Sequence, residues 1–448
     1  MLDELGGLGA HCAEVLETHG CASASVAVVE RGEVVLAEAY GLADVESDRR
    51  ATTGTAYLLA SATKSITATA VCLAADEGLL DLDGTVPGDY AWSAPTIRQL
   101  LQHRGGFSAH LDFHYGDGEL PVDADRYARL YRQPGTGFEY ANLGYRIVSR
   151  MLETASGQDL GTFVRQRVFE PLGLAGCHLG ATHPGPAPTA SRYTTDGRAY
   201  PVCDTSLPGA ALGWATATEL ALFAHSHTRL LKPDTATAMH TALPISAHLG
   251  YGLGWCVSRG DGDGPAIHSH GGGMGGVAAM MITVPERELS VAVLCNSTNK
   301  AARDSIVEYV MTRLVPEFTL DQVIVAGTDP VRPLELTEGD WAGSIDTYEG
   351  QVPLTVRILT GRQVEVGLGA DGGATVTAPA AASRRWDLQA VLPLQLPTAD
   401  ARINSPSLLL SLRLEQDRLA GVAWAFKDGD TEGLLGNFLS HPCELEPR

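Results

Sequence analysis

Ser61 and Lys64 form the first pattern in the sequence whose residue types and spacing could perform chemistry. They open an apolar segment that predicts a helix over residues 61–77, and positions three residues apart share one face of a helix. A neutral Lys64 could take the proton of the Ser61 hydroxyl if burial lowers the pKa of the amine. The unpaired amides of the first helical turn would also favour a developing anion. The competing interpretation is a capping serine followed by a solvated lysine.

Lysine is rare in this chain, which favours a chemical role for Lys64. The sequence has 32 Lys and Arg residues, and only four of them are lysines, at positions 64, 232, 300 and 427. Arginine therefore serves where positive charge alone is needed. A lysine that remains can do what arginine cannot, which is to lose its proton.

Tyr140 and Asn142 are the second candidate pair. A buried tyrosine beside a cation can pass a proton to a leaving group, and a nearby amide can orient a substrate. Considered alone, the pair is better explained by a packing aromatic and a helix N-cap. Leu143, Ile147 and Met151 recur every four residues and predict the helix that Asn142 would cap.

The third candidate is the glycine-rich segment at residues 267–276, IHSHGGGMGG. Glycines along a strand edge let a substrate backbone approach closely, and a free N–H there can face a carbonyl oxygen. A dinucleotide-binding loop is disfavoured because the strand-like VAAMMITV follows it rather than a helix. His268 and His270 could form a metal pair, but no third ligand is obvious. A plain flexible turn remains an alternative.

In this order the three motifs resemble those of the serine β-lactamase-like superfamily, which includes penicillin-binding proteins and class C β-lactamases. The flanks ASATKSITATAVCLAADEGLLDLDGTV, IRQLLQHRGGF, PGTGFEYANLGYRIVSRMLETASGQDL and VFEPLGL are similar too, so the resemblance covers about residues 10–315. It implies that Ser61 is the acylated nucleophile and Lys64 its activating base. It also implies that Tyr140 assists proton transfer and that Asn142 binds the substrate amide.

The KTG position of the superfamily falls on His270, Gly271 and Gly272, and the implied oxyanion hole uses the N–H groups of Ser61 and Gly273. A lysine at this position supplies a fixed cation for a substrate carboxylate, whereas His270 is mostly neutral near pH 7. The HxG version resembles the D-aminopeptidase and esterase branch. It disfavours strong β-lactam hydrolysis and cell-wall carboxypeptidation.

The elements that must position these residues indicate two domains. Hairpins near residues 24–39 and 276–296, with helices between them, predict an α/β (α+β) domain over residues 1–325. It is expected to be β-lactamase/transpeptidase-like, with a central antiparallel sheet flanked by helices. After the linker-like stretch AGTDPVRPLELTEG, short β-branched segments alternate with turns. Residues 335–448 are therefore expected to form a small β-barrel or sandwich. The loose similarity of this part to the lipocalin-like barrels of D-aminopeptidases and related esterases implies an antiparallel β-barrel.

Composition excludes several classes of function. The 448 residues are 44% hydrophobic and 19% charged, which is typical of a folded globular protein. A net charge of −21 disfavours nucleic acid and anionic membranes as partners, and no segment reaches the ~18 apolar residues of a membrane span. Eight scattered cysteines predict buried thiols rather than disulfides, and no metal or cofactor is expected. The start, MLDELGGLGAHC, lacks the features of a secretory signal, so we expect a cytoplasmic protein.

We therefore expect serine acyl transfer through an ester on Ser61. The expected substrates are small peptide-like esters, thioesters or amides with a D-configured residue at the acyl position. The favoured reaction is macrocyclisation of a nonribosomal peptide, as in stand-alone penicillin-binding-protein-type thioesterases that carry a lipocalin-like domain. Such an enzyme could accept a peptidyl thioester bound to a carrier protein. The alternatives are a D-stereospecific aminopeptidase or amidase, an esterase, and a catalytically inactive binding protein on the same scaffold.

Overall fold

The computed structural model describes residues 2–116, 122–185, 187–259, 264–325, 331–369, 373 and 375–448, and the structural statements below concern these residues. The α-helices are α1 (Leu8–Thr18), α2 (Thr63–Asp76), α3 (Ile97–Leu101), α4 (Asn142–Ser156), α5 (Leu160–Val164), α6 (Pro208–Ala211), α7 (Ala217–Ser226), α8 (Pro233–His240) and α9 (Ala301–Leu314). The strands are β1 (Ser23–Glu30), β2 (Glu33–Asp44), β3 (Arg49–Arg50), β4 (Tyr57–Leu58), β5 (His114–Tyr115), β6 (His178–Leu179), β7 (Cys203–Asp204), β8 (Gly213–Ala215), β9 (Leu243–Pro244), β10 (Leu249–Tyr251), β11 (Cys256–Arg259), β12 (Ala266–Met274), β13 (Val277–Val284), β14 (Leu289–Cys295), β15 (Gly339–Thr347), β16 (Gly350–Leu359), β17 (Gln363–Leu368), β18 (Thr375–Pro379), β19 (Leu388–Leu392), β20 (Ser407–Glu415), β21 (Arg418–Phe426) and β22 (Phe438–Pro447).

A large antiparallel sheet forms the centre of the first part of the chain, in the order β3-β2-β1-β14-β13-β12-β11-β10-β9. Strands β1 and β14 lie more than 250 residues apart in sequence and pair from Ala24–Cys295 to Glu30–Leu289. Every residue of β13 and β14 is buried, because helices cover both faces of the sheet. Helices α1 and α9 pack on one face, and α7 and the helices around α2 pack on the other. The expected central antiparallel sheet flanked by helices is confirmed.

The C-terminal part is an antiparallel sheet that curls into a near-barrel, in the order β18-β17-β16-β15-β22-β21-β20-β19. Its two ends meet just after β18, where Ala381 and Gln389 exchange backbone hydrogen bonds of 3.0 and 2.7 Å. Alternate residues point inward and are buried, as with Leu408, Leu410 and Leu412 on β20. Aliphatic side chains therefore fill the interior, and the expected small β-barrel is confirmed as a near-barrel. Strands β15, β19 and β22 were not foreseen in the sequence.

The near-barrel packs directly against the first part of the chain. Leu111 and Phe438 exchange two backbone hydrogen bonds of 2.8 and 2.6 Å, which extends β22 across the junction. The Trp424 indole N–H donates to the Ala109 carbonyl at 3.1 Å. The proposed domain bounds, residues 1–325 and 335–448, stay a prediction, and residues 326–330 of the expected linker lie outside the described part.

The nucleophile segment differs from the sequence expectation. Helix α2 begins at Thr63, and Ser61 lies in the preceding 3-10 turn, Ala60–Ala62, rather than in an α-helix that starts at residue 61. The reason is a sharp reversal of the chain after β4, where Ala60 adopts a left-handed φ of 46°. Such a conformation is uncommon for a residue with a Cβ and costs free energy that the surrounding structure must supply.

Strand β12 passes this turn so closely that Gly272 has no room for a side chain. A Cβ on Gly272 would collide with the Leu59 carbonyl oxygen, and the side chain of Ala279 closes the other side. Glycine is therefore required where the glycine-rich strand meets the turn that carries Ser61.

A Gly272→Ala substitution is expected to destabilise the protein by about 1–3 kcal/mol, because β12 or the Leu59–Ser61 turn must move to admit the methyl group. The measurement is thermal unfolding followed by circular dichroism. Gly54→Ala is the matched control, since Gly54 lies on an exposed turn with space for a Cβ. Equal unfolding temperatures for the two variants would contradict the proposed close approach.

Candidate active site

Ser61 and Lys64 are in direct contact, as their spacing predicts. The Lys64 Nζ donates to the Ser61 Oγ at 3.1 Å and to the Ala210 carbonyl oxygen at 3.0 Å. Lys64 has no exposed surface, whereas Ser61 is partly exposed. Burial holds the pKa of Lys64 well below its ordinary value of 10.5. The amine is thus poised to be neutral beside the hydroxyl, and the solvated-lysine interpretation is wrong.

The composition of α2 explains how a lysine can be buried so deeply. Small and hydroxyl-bearing residues dominate the helix, and all residues from Thr63 to Cys72 are buried. The Ser65 hydroxyl donates to the Gly254 carbonyl at 2.6 Å, and the Thr67 hydroxyl donates to the Gly209 carbonyl at 2.7 Å. Each buried hydroxyl therefore has a partner, and neighbouring loops come close enough to exclude water from Lys64.

Tyr140 lies beside this pair. The Lys64 Nζ is 4.9 Å from the centre of the Tyr140 ring. Burial raises the pKa of Tyr140 above its ordinary value, and a hydrogen bond with Ser61 opposes this shift. The phenol therefore stays protonated at neutral pH and can donate a proton.

Asn142 is close to the same site, but it does not cap a helix. It is the first residue of α4, the N-cap position belongs to Ala141, and the side chain makes no capping hydrogen bond. Instead, the Asn142 Nδ2 donates to the His110 carbonyl oxygen at 2.7 Å. The capping interpretation is thus wrong, because the side chain joins the start of α4 to the segment that carries His110.

His270 is held in a fixed orientation on β12. Its Nε2 is 2.8 Å from the Tyr251 hydroxyl, and its Nδ1 is 2.7 Å from the Gly271 carbonyl oxygen. The carbonyl can only accept, so Nδ1 carries the proton and Nε2 accepts from the Tyr251 hydroxyl. Burial, with a smaller contribution from Lys64, lowers the pKa of His270 to about 3. The imidazole is therefore neutral near pH 7, as the sequence indicated.

The glycine-rich segment is a strand with one open edge, not a flexible turn. Strand β12 pairs with β13 from His268 to Met274, but its pairing with β11 stops at Ser269. The other edge of residues 270–274 thus has no strand partner among the described residues. Its backbone groups can bind an extended substrate.

A cavity of about 550 Å³ brings these groups together and is walled by both parts of the chain. It is lined by Ser61, Ala109, His110, Leu111, Phe113, Tyr140, Asn142, Cys256, His270, Gly271, Gly272, Gly273, Met280, Lys300, Arg303, Asp304, Val323, Ile324, Val325, Phe426, Lys427, Asp428, Leu435, Gly436 and Phe438. Apart from Lys64, which is buried directly behind Ser61, all the residues to which the resemblance assigns a catalytic or binding role line this cleft, whereas His268 lies outside it.

Some residues of the site were missed in the sequence. Tyr251, which orients His270 from behind the cleft, belongs to β10, two strands away from β12, and no local motif marks it. Lys300 and Lys427 could have been found, because they are two of only four lysines and both line the cleft.

Two features are absent from the described residues: a cluster of metal-ligating side chains and a membrane-spanning helix. Within them, no group of three or more His, Cys, Asp or Glu side chains has the geometry to hold a metal ion. His268 stacks on His240 with ring centres 4.0 Å apart, while His270 faces Tyr251. Among the described helices, none combines the length and apolar character needed to cross a bilayer. The eight cysteines are all buried and free.

A family model described as Beta-lactamase matches residues 8–313. The chain belongs to the beta-lactamase family of serine hydrolases. The family expected from the three motifs is thereby confirmed.

Relatives of the chain are similar at low identity. Penicillin-binding protein 4* of Bacillus subtilis is 27% identical, over 34% of this chain and 36% of that protein. Penicillin-binding protein 4 of Amycolatopsis lactamdurans is 28% identical, over 67% of this chain and 87% of that protein. A D-aminopeptidase of Cereibacter sphaeroides is 25% identical, over 65% of this chain and 60% of that protein. The chain thus spans between about one third and nine tenths of the length of these relatives.

Solved structures share the fold over different shares of the chain. SurE in complex with D-Leu matches with a TM-score of 0.63 and 22% identity, over 98% of this chain and 100% of that chain. A class C beta-lactamase matches with a TM-score of 0.60 and 16% identity, over 69% of this chain and 96% of that chain. The match to SurE therefore includes the near-barrel. The class C beta-lactamase is matched over nearly its whole length by only 69% of this chain.

The rate of Ser61 acylation is expected to fall with decreasing pH as Lys64 becomes protonated, by about tenfold per pH unit below its pKa. Because burial lowers that pKa, the midpoint should lie well below 10.5. The measurement is the pH dependence of Ser61 labelling by a fluorophosphonate probe. His270→Gln is the control, since His270 changes charge only near pH 3 and its loss should not shift the midpoint. A midpoint near 10.5, or one that moves in His270→Gln, would contradict this assignment.

Proposed function

We propose that this protein is a serine acyltransferase that accepts a peptidyl ester or thioester ending in a D-residue and releases it as a macrocycle. The observation that carries the proposal is the contact of a buried amine, Lys64, with a partly exposed hydroxyl, Ser61, in a cleft walled by both parts of the chain. The buried neutral amine can activate the Ser61 hydroxyl for attack, and the two-sided cleft can select the substrate.

Acylation follows from the geometry around Ser61. Lys64 accepts the hydroxyl proton as the Ser61 Oγ attacks the acyl carbonyl carbon. The N–H groups of Ser61 and Gly273 stabilise the oxyanion that develops. The C–O or C–S bond to the leaving group then breaks, and Tyr140 passes a proton to the departing oxygen or sulfur. The product of this half-reaction is an ester on Ser61.

Release reverses these proton transfers. The N-terminal amine of the same peptide attacks the ester carbonyl and gives its proton to the Lys64–Tyr140 pair. The C–O bond to Ser61 breaks, and Ser61 recovers its proton. When water attacks instead, the same steps give a free acid, so the acceptor alone separates a cyclase from a hydrolase.

The walls of the cleft favour an amine over water. Phe113 and Leu111 come from the first part of the chain, while Phe426, Leu435 and Phe438 come from the near-barrel. Apolar walls on both sides exclude water from the ester and can hold a folded peptide chain. Similarity to SurE, whose structure contains D-Leu and which matches almost the whole chain, supports a D-configured substrate and a role for the near-barrel.

A D-aminopeptidase, amidase or esterase is the second candidate, and the neutral His270 favours it. The imidazole supplies no cation for a substrate carboxylate, which suits a neutral amide or ester. The low-identity similarity to a D-aminopeptidase points the same way. In either case the substrate is a small peptide or ester, with a carrier-bound peptidyl thioester as one form of it. A cytoplasmic site of action stays a prediction.

Mixing the protein with peptidyl thioester mimics that end in a D- or an L-residue should distinguish these activities. We expect a Ser61-linked acyl adduct by intact-protein mass spectrometry, formed at least ~10-fold faster from the D-ended donor, and a cyclic product that lacks the thiol. Ser61→Ala is the control and should give no adduct.

If the adduct releases only free acid, the protein is a hydrolase and the proposed cyclase activity is wrong. If Ser61 forms no adduct with thioesters, simple esters or a fluorophosphonate, the proposed acyl transfer is wrong. The alternative of a catalytically inactive binding protein would then be favoured.

A further inference from the structure

Asp430 is a carboxylate of the near-barrel that is buried inside the first part of the chain. It lies in the loop between β21 and β22, which we define as residues 427–437 and name the 427–437 loop. Only 1% of its surface is exposed. A buried carboxylate is costly unless it is fully hydrogen-bonded, so its partners indicate what it does.

Both carboxylate oxygens accept hydrogen bonds from the first part of the chain. The Oδ1 accepts from the Thr195 amide at 3.1 Å and from the Thr195 hydroxyl at 2.8 Å. The Oδ2 accepts from the Tyr200 hydroxyl at 2.8 Å and from the Thr298 hydroxyl at 2.5 Å. Burial opposes ionisation, but these donors outweigh it and hold the pKa of Asp430 below its ordinary value.

Through Thr298 the carboxylate reaches the strand edge of the active site. The Thr298 Oγ also accepts from the Gly276 amide at 2.7 Å, in the turn that ends β12. Two residues after Thr298, the Lys300 side chain packs against Gly273, where a methyl group would lie 2.8 Å from its Nζ. A hydrogen-bonded chain thus joins the 427–437 loop to the turn that ends β12, and Lys300 packs from there against the glycine-rich edge.

The same loop forms one wall of the cleft. The loop residues that line the cleft are Lys427, Asp428, Leu435 and Gly436. Lys427 and Asp428 lie at the start of the loop and Leu435 and Gly436 near its end, with Asp430 between these two pairs. Further bonds hold the loop: the Tyr115 hydroxyl donates to the Leu435 carbonyl at 2.8 Å, and the Arg198 guanidinium donates to the Asp430 carbonyl at 2.5 Å.

We propose that Asp430 is a positioning residue that fixes the distance between the 427–437 loop and the Gly271–Gly273 strand edge, and thereby selects which acyl chains the cleft accepts. Asp430 does not touch the reacting atoms. It acts by holding the wall that a long peptidyl chain contacts and that a short acyl group does not reach. The inference rests on the proposed function only in taking Ser61 as the nucleophile.

The test compares Ser61 inactivation by two fluorophosphonates, one with a short alkyl group and one with a peptidyl chain that ends in a D-residue. In Asp430→Ala we expect KI for the peptidyl probe to rise about tenfold, with the short probe unchanged within a factor of two. Thr298→Val removes one donor and should shift the same KI in the same direction by less. Asp430→Asn keeps an oxygen for Thr195 and should recover most of the wild-type value.

Coupling and control variants separate positioning from general damage. In the double variant of Asp430→Ala with Thr298→Val, KI should not exceed that of Asp430→Ala alone, because both changes break one chain of bonds. Asp417→Ala is the matched control, since Asp417 is exposed on the β20–β21 turn of the same sheet. Equal losses for both probes, or an unchanged KI ratio in all Asp430 and Thr298 variants, would overturn the proposal. If Asp430→Ala does not fold, the KI ratio of Thr298→Val decides.

Amide hydrogen exchange reports the tether without any reaction at Ser61. We expect faster exchange in the 427–437 loop in Asp430→Ala and Thr298→Val than in the wild type. If neither probe labels wild-type Ser61 but exchange rises as expected, the proposed function fails and the tether stands. Unchanged exchange in both variants would overturn the tether itself.

Discussion

The structure depends on keeping one amine out of water. Lys64 contacts Ser61 at 3.1 Å with none of its surface exposed, so the free energy that would hydrate an ammonium group is missing. Helix α2 excludes water with small residues, and its buried hydroxyls are hydrogen-bonded within the protein; large apolar side chains are not needed. A strained Ala60 and a side-chain-free Gly272 then bring the nucleophile turn against the strand edge. Each of these features makes sense as a consequence of burying a base beside a hydroxyl.

The second constraint is that the cleft belongs to two parts of the chain. The first part supplies the hydroxyl, the amine, the phenol and the strand edge. The near-barrel supplies an apolar wall and, through Asp430, a link back to the end of β12. The interior of the near-barrel is filled with aliphatic side chains, so its contribution comes from its outer surface and loops. The fold shared with SurE extends over almost the whole chain and so includes the near-barrel.

The sequence predicts those features that depend on neighbours along the chain. Ser61 and Lys64 are three residues apart, and helical geometry alone brings them together. The helix indicated by Leu143, Ile147 and Met151 is present as α4, Asn142–Ser156. Asn142 lines the cleft, but its residue type beside a helix start suited an N-cap equally well, and its role in binding the substrate amide stays a prediction. Features that depend on distant pairing were missed: Tyr251 reaches His270 across the sheet, and Asp430 reaches Thr298 across 132 residues. A local sequence pattern does not predict contacts between residues that lie far apart in the chain.

The central claim is that Lys64 is neutral in the resting protein, and direct titration tests it. With only four lysines, a sample labelled with ¹³C at Cε gives few enough NMR signals to follow each through a pH series. The signal that disappears in Lys64→Met belongs to Lys64. The account predicts that this signal changes from that of an ammonium group to that of a neutral amine at a pH well below 10.5. A Lys64 signal that stays that of an ammonium group up to about pH 10 would contradict it.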